Sequence, residues 1–134
     1  MKLLVDTNIF LEILLDQEKA EEAKSLLRST DHHEFFTTDF TIHSIGLKLF
    51  QGGRHTVFLS FLRDMVATGV LQVLWLAAPE LQRVVELGQT SGLDFDDAYQ
   101  CAAAEKHDLT VVSFDDDFDH TDRGRKTPAD VLGG

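Results

Sequence analysis

LDFDDAYQCAAAEKHDLTVVSFDDDF, residues 93–118, is the stretch whose reading decides the fold. Acids stand at both ends, Asp94, Asp96 and Asp97 first, then Asp115, Asp116 and Asp117. Between them Ala98, Cys101, Ala102 and Glu105 recur at helical spacing and give a narrow face of small residues suited to close packing. Thr110, Val111, Val112, Ser113 and Phe114 then read as a buried strand. Such a helix and strand fold back so that the helix start and the strand end meet, which makes Asp97 and Asp115 neighbours. Carboxylates crowded at one end of a domain repel one another unless a cation or solvent separates them. The pattern carries an electrostatic cost that some use must offset.

Upstream the same alternation repeats. Residues 2–5 form a short apolar strand ended by Asp6, and Ile9, Phe10, Ile13 and Leu14 mark a helix directly after it. Asp6 suits the N-cap of that helix. A second helix spans 17–29 and a second strand 34–37; a third helix starts at Thr38 or Asp39, and Gly52 and Gly53 end it. Residues 54–68 have the cleanest amphipathic pattern, with Val57, Phe58, Phe61, Leu62 and Met65 on a face that serves a core or a partner. Residues 71–76 form a third strand, and Pro79 opens a helix reaching Thr90. After Phe118 the pattern fades into a loop, and residues 127–134 add a short terminal element. Strands alternating with helices predict one α/β domain over residues 1–134, with a mostly parallel sheet of four to five strands flanked by helices.

The chain has 134 residues, enough for one domain with a real core. Its formal net charge of −11 argues against a general nucleic-acid binder, whose affinity rests on Lys and Arg meeting phosphates. A route to nucleic acid through metal ions stays open. The single cysteine, Cys101, permits no internal disulfide and suits a reducing compartment. No signal-peptide pattern opens the sequence, and the apolar run over 70–78 is too short to span a membrane. A cytoplasmic protein without a membrane partner is expected.

In parallel sheets, ligands bind beyond the carboxyl ends of the strands. Asp6 and Asp115 both fall on that edge. Asp94 and Asp97 share one helix turn, with Asp94 the expected N-cap and Asp97 near the positive helix end. Asp6, Asp97 and Asp115 make the sharpest constellation of candidate catalytic and metal-binding acids. An oxygen-only donor set without Cys or His spacing suggests Mg²⁺ or Mn²⁺ rather than Zn²⁺. Such ions activate water and steady the oxygens of an in-line phosphodiester displacement. Arg123, Arg125 and Lys126, the densest basic cluster, are the candidates for contacting substrate phosphates.

The opening VDTNIF, the helix start DDAYQCAAAE and the segment TVVSFDDDF, in that order, resemble the PIN domain, and among its members the VapC-like toxins of bacterial toxin–antitoxin pairs. The resemblance implies a PIN-like fold, metal-dependent cleavage of RNA, and a cognate antitoxin that holds the toxin inactive. An acidic surface favours a basic partner, and a homodimer is a further expectation. The resemblance makes Asp6, Asp97 and Asp115 metal-binding acids, with Asp117 assisting and Asn8 and Ser113 supporting the pocket. It also implies a Glu on the third helix. Here His43 and Ser44 stand in that region, with Ser44 the match, and no acid occurs between Asp39 and Asp64. That departure opens an alternative, a PIN-fold module that binds RNA or a protein without cleaving. Two rivals fare worse. A signalling receiver domain needs an acceptor Asp after the third strand, where Ala77, Ala78 and Pro79 lie. A dehalogenase-type phosphatase needs a second Asp where Asn8 stands.

Overall fold

The computed structural model describes residues 1–133, so the end of the expected terminal element, Gly134, lies outside the described residues. β1 (Lys2–Val5) leads through Asp6 into α1 (Thr7–Leu14) and α2 (Ala20–Leu27). β2 (Glu34–Thr38) leads into α3 (Asp39–Gln51) and α4 (His55–Phe61). β3 (Leu71–Leu74) precedes α5 (Leu81–Ser91) and α6 (Phe95–His107); β4 (Thr110–Val112) and α7 (Pro128–Gly133) follow. The sheet order is β3-β2-β1-β4 and every pairing is parallel. Leu4 stands opposite Phe36 on one side and Val111 on the other.

Both faces of the sheet are covered, as a parallel sheet requires. Leu3 and Val5 pack on one face with Ile9, Phe10, Ala23 and Leu26 of the first two helices. Leu4 points the other way, into Ala103, Ala104, Val111 and Phe118. The small face of α6 does what its composition predicts: Ala98, Cys101 and Ala102 lie close against Val84 and Leu87 of α5. Gly92 joins the two helices at φ 68°, the left-handed cap that a side chain would strain. The strand order reverses between β1 and β4, so the crevice beyond their carboxyl ends is the switch point where such sheets bind ligands.

The strands are shorter than the sequence pattern where side chains take over the ladder. β3 stops at Leu74, and the Leu76 N–H donates to the Tyr99 hydroxyl at 2.9 Å. β4 stops at Val112, because the Phe114 N–H donates to Asn8 Oδ1 at 3.2 Å and the Asp115 N–H to Ser113 Oγ at 2.9 Å. The expected second helix loses its first turn to a bend at Asp16, whose φ is 51°. The expected fourth helix divides: α4 passes into one turn of π-helix, Leu62–Val66, closed by the Ala67 N–H on the Leu62 carbonyl at 2.8 Å. Hydrophobic spacing marks the buried face and is blind to which carbonyl accepts. Beyond β4, the Lys126 backbone forms a parallel bridge to Val112, a rudiment of a fifth strand. Among the described residues no helix is long and apolar enough to cross a membrane.

Leu4 is fully buried between the helical layers, in the middle of the sheet. Leu4→Ala is expected to lower stability by about 2–5 kcal/mol through the cavity it leaves. A urea titration reads this as a lower midpoint with unchanged slope; an unmoved midpoint would mean that Leu4 is not in the core.

Candidate metal centre

Four elements bring acids to the crevice. Asp6 ends β1 and caps α1, with its Oδ1 accepting the Thr7 N–H at 2.8 Å. The same oxygen accepts from Gln100 Nε2 of α6 at 3.1 Å. Its Oδ2 accepts the Ser113 hydroxyl at 2.7 Å and the Asn8 amide at 3.4 Å. Asn8 also donates to Ser113 Oγ at 3.0 Å, which ties α1 to the end of β4. Gln100 extends the network to α3, donating to Thr41 Oγ1 at 2.7 Å and accepting from the Thr38 hydroxyl. Asp6 is only 6% exposed. Burial pushes its carboxyl above the usual range in spite of these donors, and the charge of Asp115 adds to the rise.

Asp97 lies in the first turn of α6 and is 7% exposed. Burial first, then the charges of Asp6, Asp115 and Asp96, push its pKa up to about 8. Asp115 follows β4 and caps a short 3₁₀ turn, Asp116–His120, by accepting the Asp117 N–H at 2.9 Å. Asp117 is held above the usual carboxylate range, mainly by the charge of Asp115. Carboxylate oxygens of Asp97, Asp115 and Asp117 come within 4.8 Å of one another, as do those of Asp94, Asp96 and Asp97.

The oxygen-only donor set fits a hard divalent cation. Magnesium takes few carboxylates and completes its octahedron with water. Asp97, Asp115 and Asp117 converge closely enough to share one ion, while Asp6 lines a cavity together with Asp97 and Asp115, its oxygens already accepting hydrogen bonds. The cavity measures about 200 Å³ and is lined by Asp6, Asp97, Asp115, Asn8, Phe40 and Ser44 among others. Burial and the neighbouring charges favour a proton or a cation at Asp97.

The other sequence candidates fall out as follows. Asp94 has the backbone of an N-cap, and its side chain makes no capping bond. Ser44 is half-buried on the cavity wall and His43 is exposed, as their separation of about 100° around the helix requires. Arg123 donates to Asp108 Oδ1 at 2.9 Å and to the Leu109 carbonyl at 3.1 Å. That is the far end of α6, roughly 16 Å of helix from Asp97. Arg125 lies closer, donating to the Ser113 carbonyl at 3.1 Å and pairing with Asp119 at 3.2 Å. Lys126 is fixed to β4 through its backbone. The structure therefore does not gather the three basic residues at the acids. Gln100 and Thr41 were not singled out by sequence, and Thr38 only as a cap of the third helix. The available signal was the spacing of Gln100, one helix turn after Asp97 and on the same side of α6.

The folded pKa of Asp97, about 8, exceeds its reference value of 3.8, so the folded state holds the proton longer. The stability this proton brings is complete below the unfolded pKa and is lost as pH rises through the folded one. Metal-free Asp97→Asn should therefore exceed the wild type in stability by at least about 1 kcal/mol at pH 9, with the gap closing toward pH 4. Denaturant titrations in EDTA at both pH values check this, and an equal gap at both would remove Asp97 from the crowded cluster. Asp6→Asn should bring no such gain, because an amide cannot accept from all of the donors converging there.

Comparison with known proteins agrees with this architecture. The PIN domain model matches residues 3–124. No curated protein sequence matches the chain. Among solved structures, a toxin–antitoxin complex from Klebsiella pneumoniae superposes with a TM-score of 0.72 at 22% identity, covering 96% of this chain and 98% of that one. FitAcB from Neisseria gonorrhoeae gives 0.75 at 21% identity, with the same coverage of 96% and 98%. VapC20 of Mycobacterium tuberculosis, described as a toxin that cleaves the sarcin–ricin loop, gives 0.73 at 20% identity over 87% of this chain and 92% of that one. At these identities the likeness concerns the fold.

Proposed function

This chain belongs to the PIN domain family, and we propose that it is a Mg²⁺- or Mn²⁺-dependent endoribonuclease, the toxin of a toxin–antitoxin pair. The observation that carries the reading is the convergence of Asp97, Asp115 and Asp117, with Asp6 sharing a cavity with the first two, at the switch point of the sheet. Asp97, Asp115 and Asp117 would hold the ion. When bound, the ion supplies Lewis-acid activation of water and neutralises charge on a phosphodiester. Asp6, held by Thr7, Gln100 and Ser113, adds negative charge in the cavity it shares with Asp97 and Asp115. Asn8 and Ser113 fix the backbone that presents Asp115, through the Phe114 and Asp115 N–H groups. Ser44 offers a neutral oxygen that orients water in the cavity. RNA is the substrate on this reading, a basic antitoxin is the partner, and the cytoplasm is the place of action. Resemblance of the fold to toxin–antitoxin proteins supports the toxin role.

One observation favours a second reading. α3 gives the cavity Phe40 and Ser44 and no acid. A site with fewer carboxylates holds a second ion poorly, and a PIN-fold module that binds RNA or a protein without cleaving would need none.

Purified wild-type protein is expected to cleave a mixed RNA pool in Mn²⁺ or Mg²⁺, to stop in EDTA, and to lose at least about 100-fold in rate on Asp97→Asn or Asp115→Asn. Full activity in EDTA or in either variant would refute metal-dependent cleavage by these acids. RNA binding without any cleavage would favour the second reading. Ser44→Glu is expected to tighten Mg²⁺ binding by calorimetry and to speed cleavage. If it does neither, the cavity is not short of a ligand.

A further inference from the structure

The carboxyl edge of the sheet is divided into two halves. Beyond β1 and β4 stand Asp6 and Asp115; beyond β2 and β3 stand Phe40 and Trp75. Neighbouring strands are about 4.8 Å apart, so the two halves adjoin within about 15 Å. Phe40 lines the acidic cavity beside Asp97. Its ring centroid is 5.8 Å from that of Phe95 and 5.5 Å from that of Tyr99, and Phe95 and Tyr99 are 6.2 Å apart. Tyr99 is fixed from below: its hydroxyl donates to Asp39 Oδ1 at 2.8 Å and accepts from the Leu76 N–H at 2.9 Å. Above this base the outer ring is open, with Phe95 56% exposed. Phe95 therefore presents a large apolar ring to water between two exposed aspartates, Asp94 and Asp96, at the mouth of the acidic site.

We propose that Phe95 and Phe40, supported by Tyr99, form a stacking platform that seats an unpaired base beside the acids. The proposal rests on the nuclease reading and assigns the residues that grip the base. Three arguments lead to a base. The net charge is −11, and Arg123 and Arg125 are engaged with Asp108 and Asp119, so phosphate contacts are a weak source of affinity. Stacking of a base on an aromatic ring is indifferent to that charge and to base identity. In a duplex the base faces are already covered, so an exposed ring discriminates in favour of unpaired strands. A second copy of this chain fits the patch poorly. A two-fold contact would set Asp94 and Asp96 against their own counterparts, which like-charge repulsion opposes.

The test uses a short RNA oligonucleotide carrying 2-aminopurine, whose emission falls when it stacks. Ca²⁺ replaces Mg²⁺ so that binding is read without turnover. Wild-type protein is expected to quench the probe. Phe95→Ala should weaken binding by about 5- to 100-fold and reduce the quench, Phe95→Trp should retain both, and Phe95→Leu should behave like the Ala variant. The ring is more than half exposed, so these variants should keep the wild-type thermal midpoint. The same probe annealed to its complement should bind at least tenfold more weakly. The platform is overturned if the wild type does not bind or quench, if Phe95→Ala binds as well as wild type, or if the duplex binds equally. A dimer in wild type that Phe95→Ala makes monomeric, with RNA binding unchanged, would assign the patch to self-association instead. Loss of the nuclease reading is read separately, as absence of Mn²⁺-dependent cleavage by the wild type.

Discussion

The Asp6 carboxylate is the junction on which the rest of this molecule depends. It receives the first N–H of α1, an amide from α6 and the hydroxyl that follows β4. Through Gln100 the same network reaches Thr38 and Thr41, which begin α3. Four elements that would otherwise meet only through apolar side chains are thus registered by hydrogen bonds at one point. The arrangement is costly, since burial still works against the charge of Asp6. A buried carboxylate with so many donors is tolerable, whereas one without them would cost several kcal/mol.

Around that junction the electrostatics and the packing pull in opposite directions. The core on both faces of the sheet is apolar and closed, with Leu3, Leu4 and Val5 fully buried. It concentrates the polar expense at the carboxyl edge, where Asp97 is desolvated and faced by other acids. The ion pairs of Arg123 and Arg125 run to Asp108 and Asp119 and leave this negative field uncompensated. A site of this kind attracts cations by its own imbalance and has little affinity for phosphate until a cation has arrived.

The elements written in strong patterns were legible from sequence. The apolar run before Asp6, the small-residue face of α6 and the TVV strand gave the parallel sheet and the common edge of Asp6, Asp97 and Asp115. Their geometry follows from strand direction alone. What escaped is what depends on side chains that have no period. Gln100 carries no pattern, yet it links three elements. The ends of β3 and β4 were misjudged by two residues because Tyr99 and Asn8 intercept the ladder there. The basic loop read as one patch, since adjacency in sequence says nothing about direction; Arg123 turns to the far end of α6. Ser44 at the cavity came from the resemblance, helix geometry adding only that His43 could not face it too, whereas Phe95 looked like an ordinary apolar residue until its exposure was known.

The strand order has a consequence in time. Asp6 meets Gln100 and Ser113 across 94 and 107 residues of chain. β1 is made well before the strand that completes its surroundings. Translation of such a chain takes on the order of ten seconds, and long-range parallel pairings are slow to close. Throughout that interval the acids of the crevice are scattered along an unfinished polypeptide. The pocket comes into being only when β4 has joined β1, so a partly made chain carries no assembled acid site.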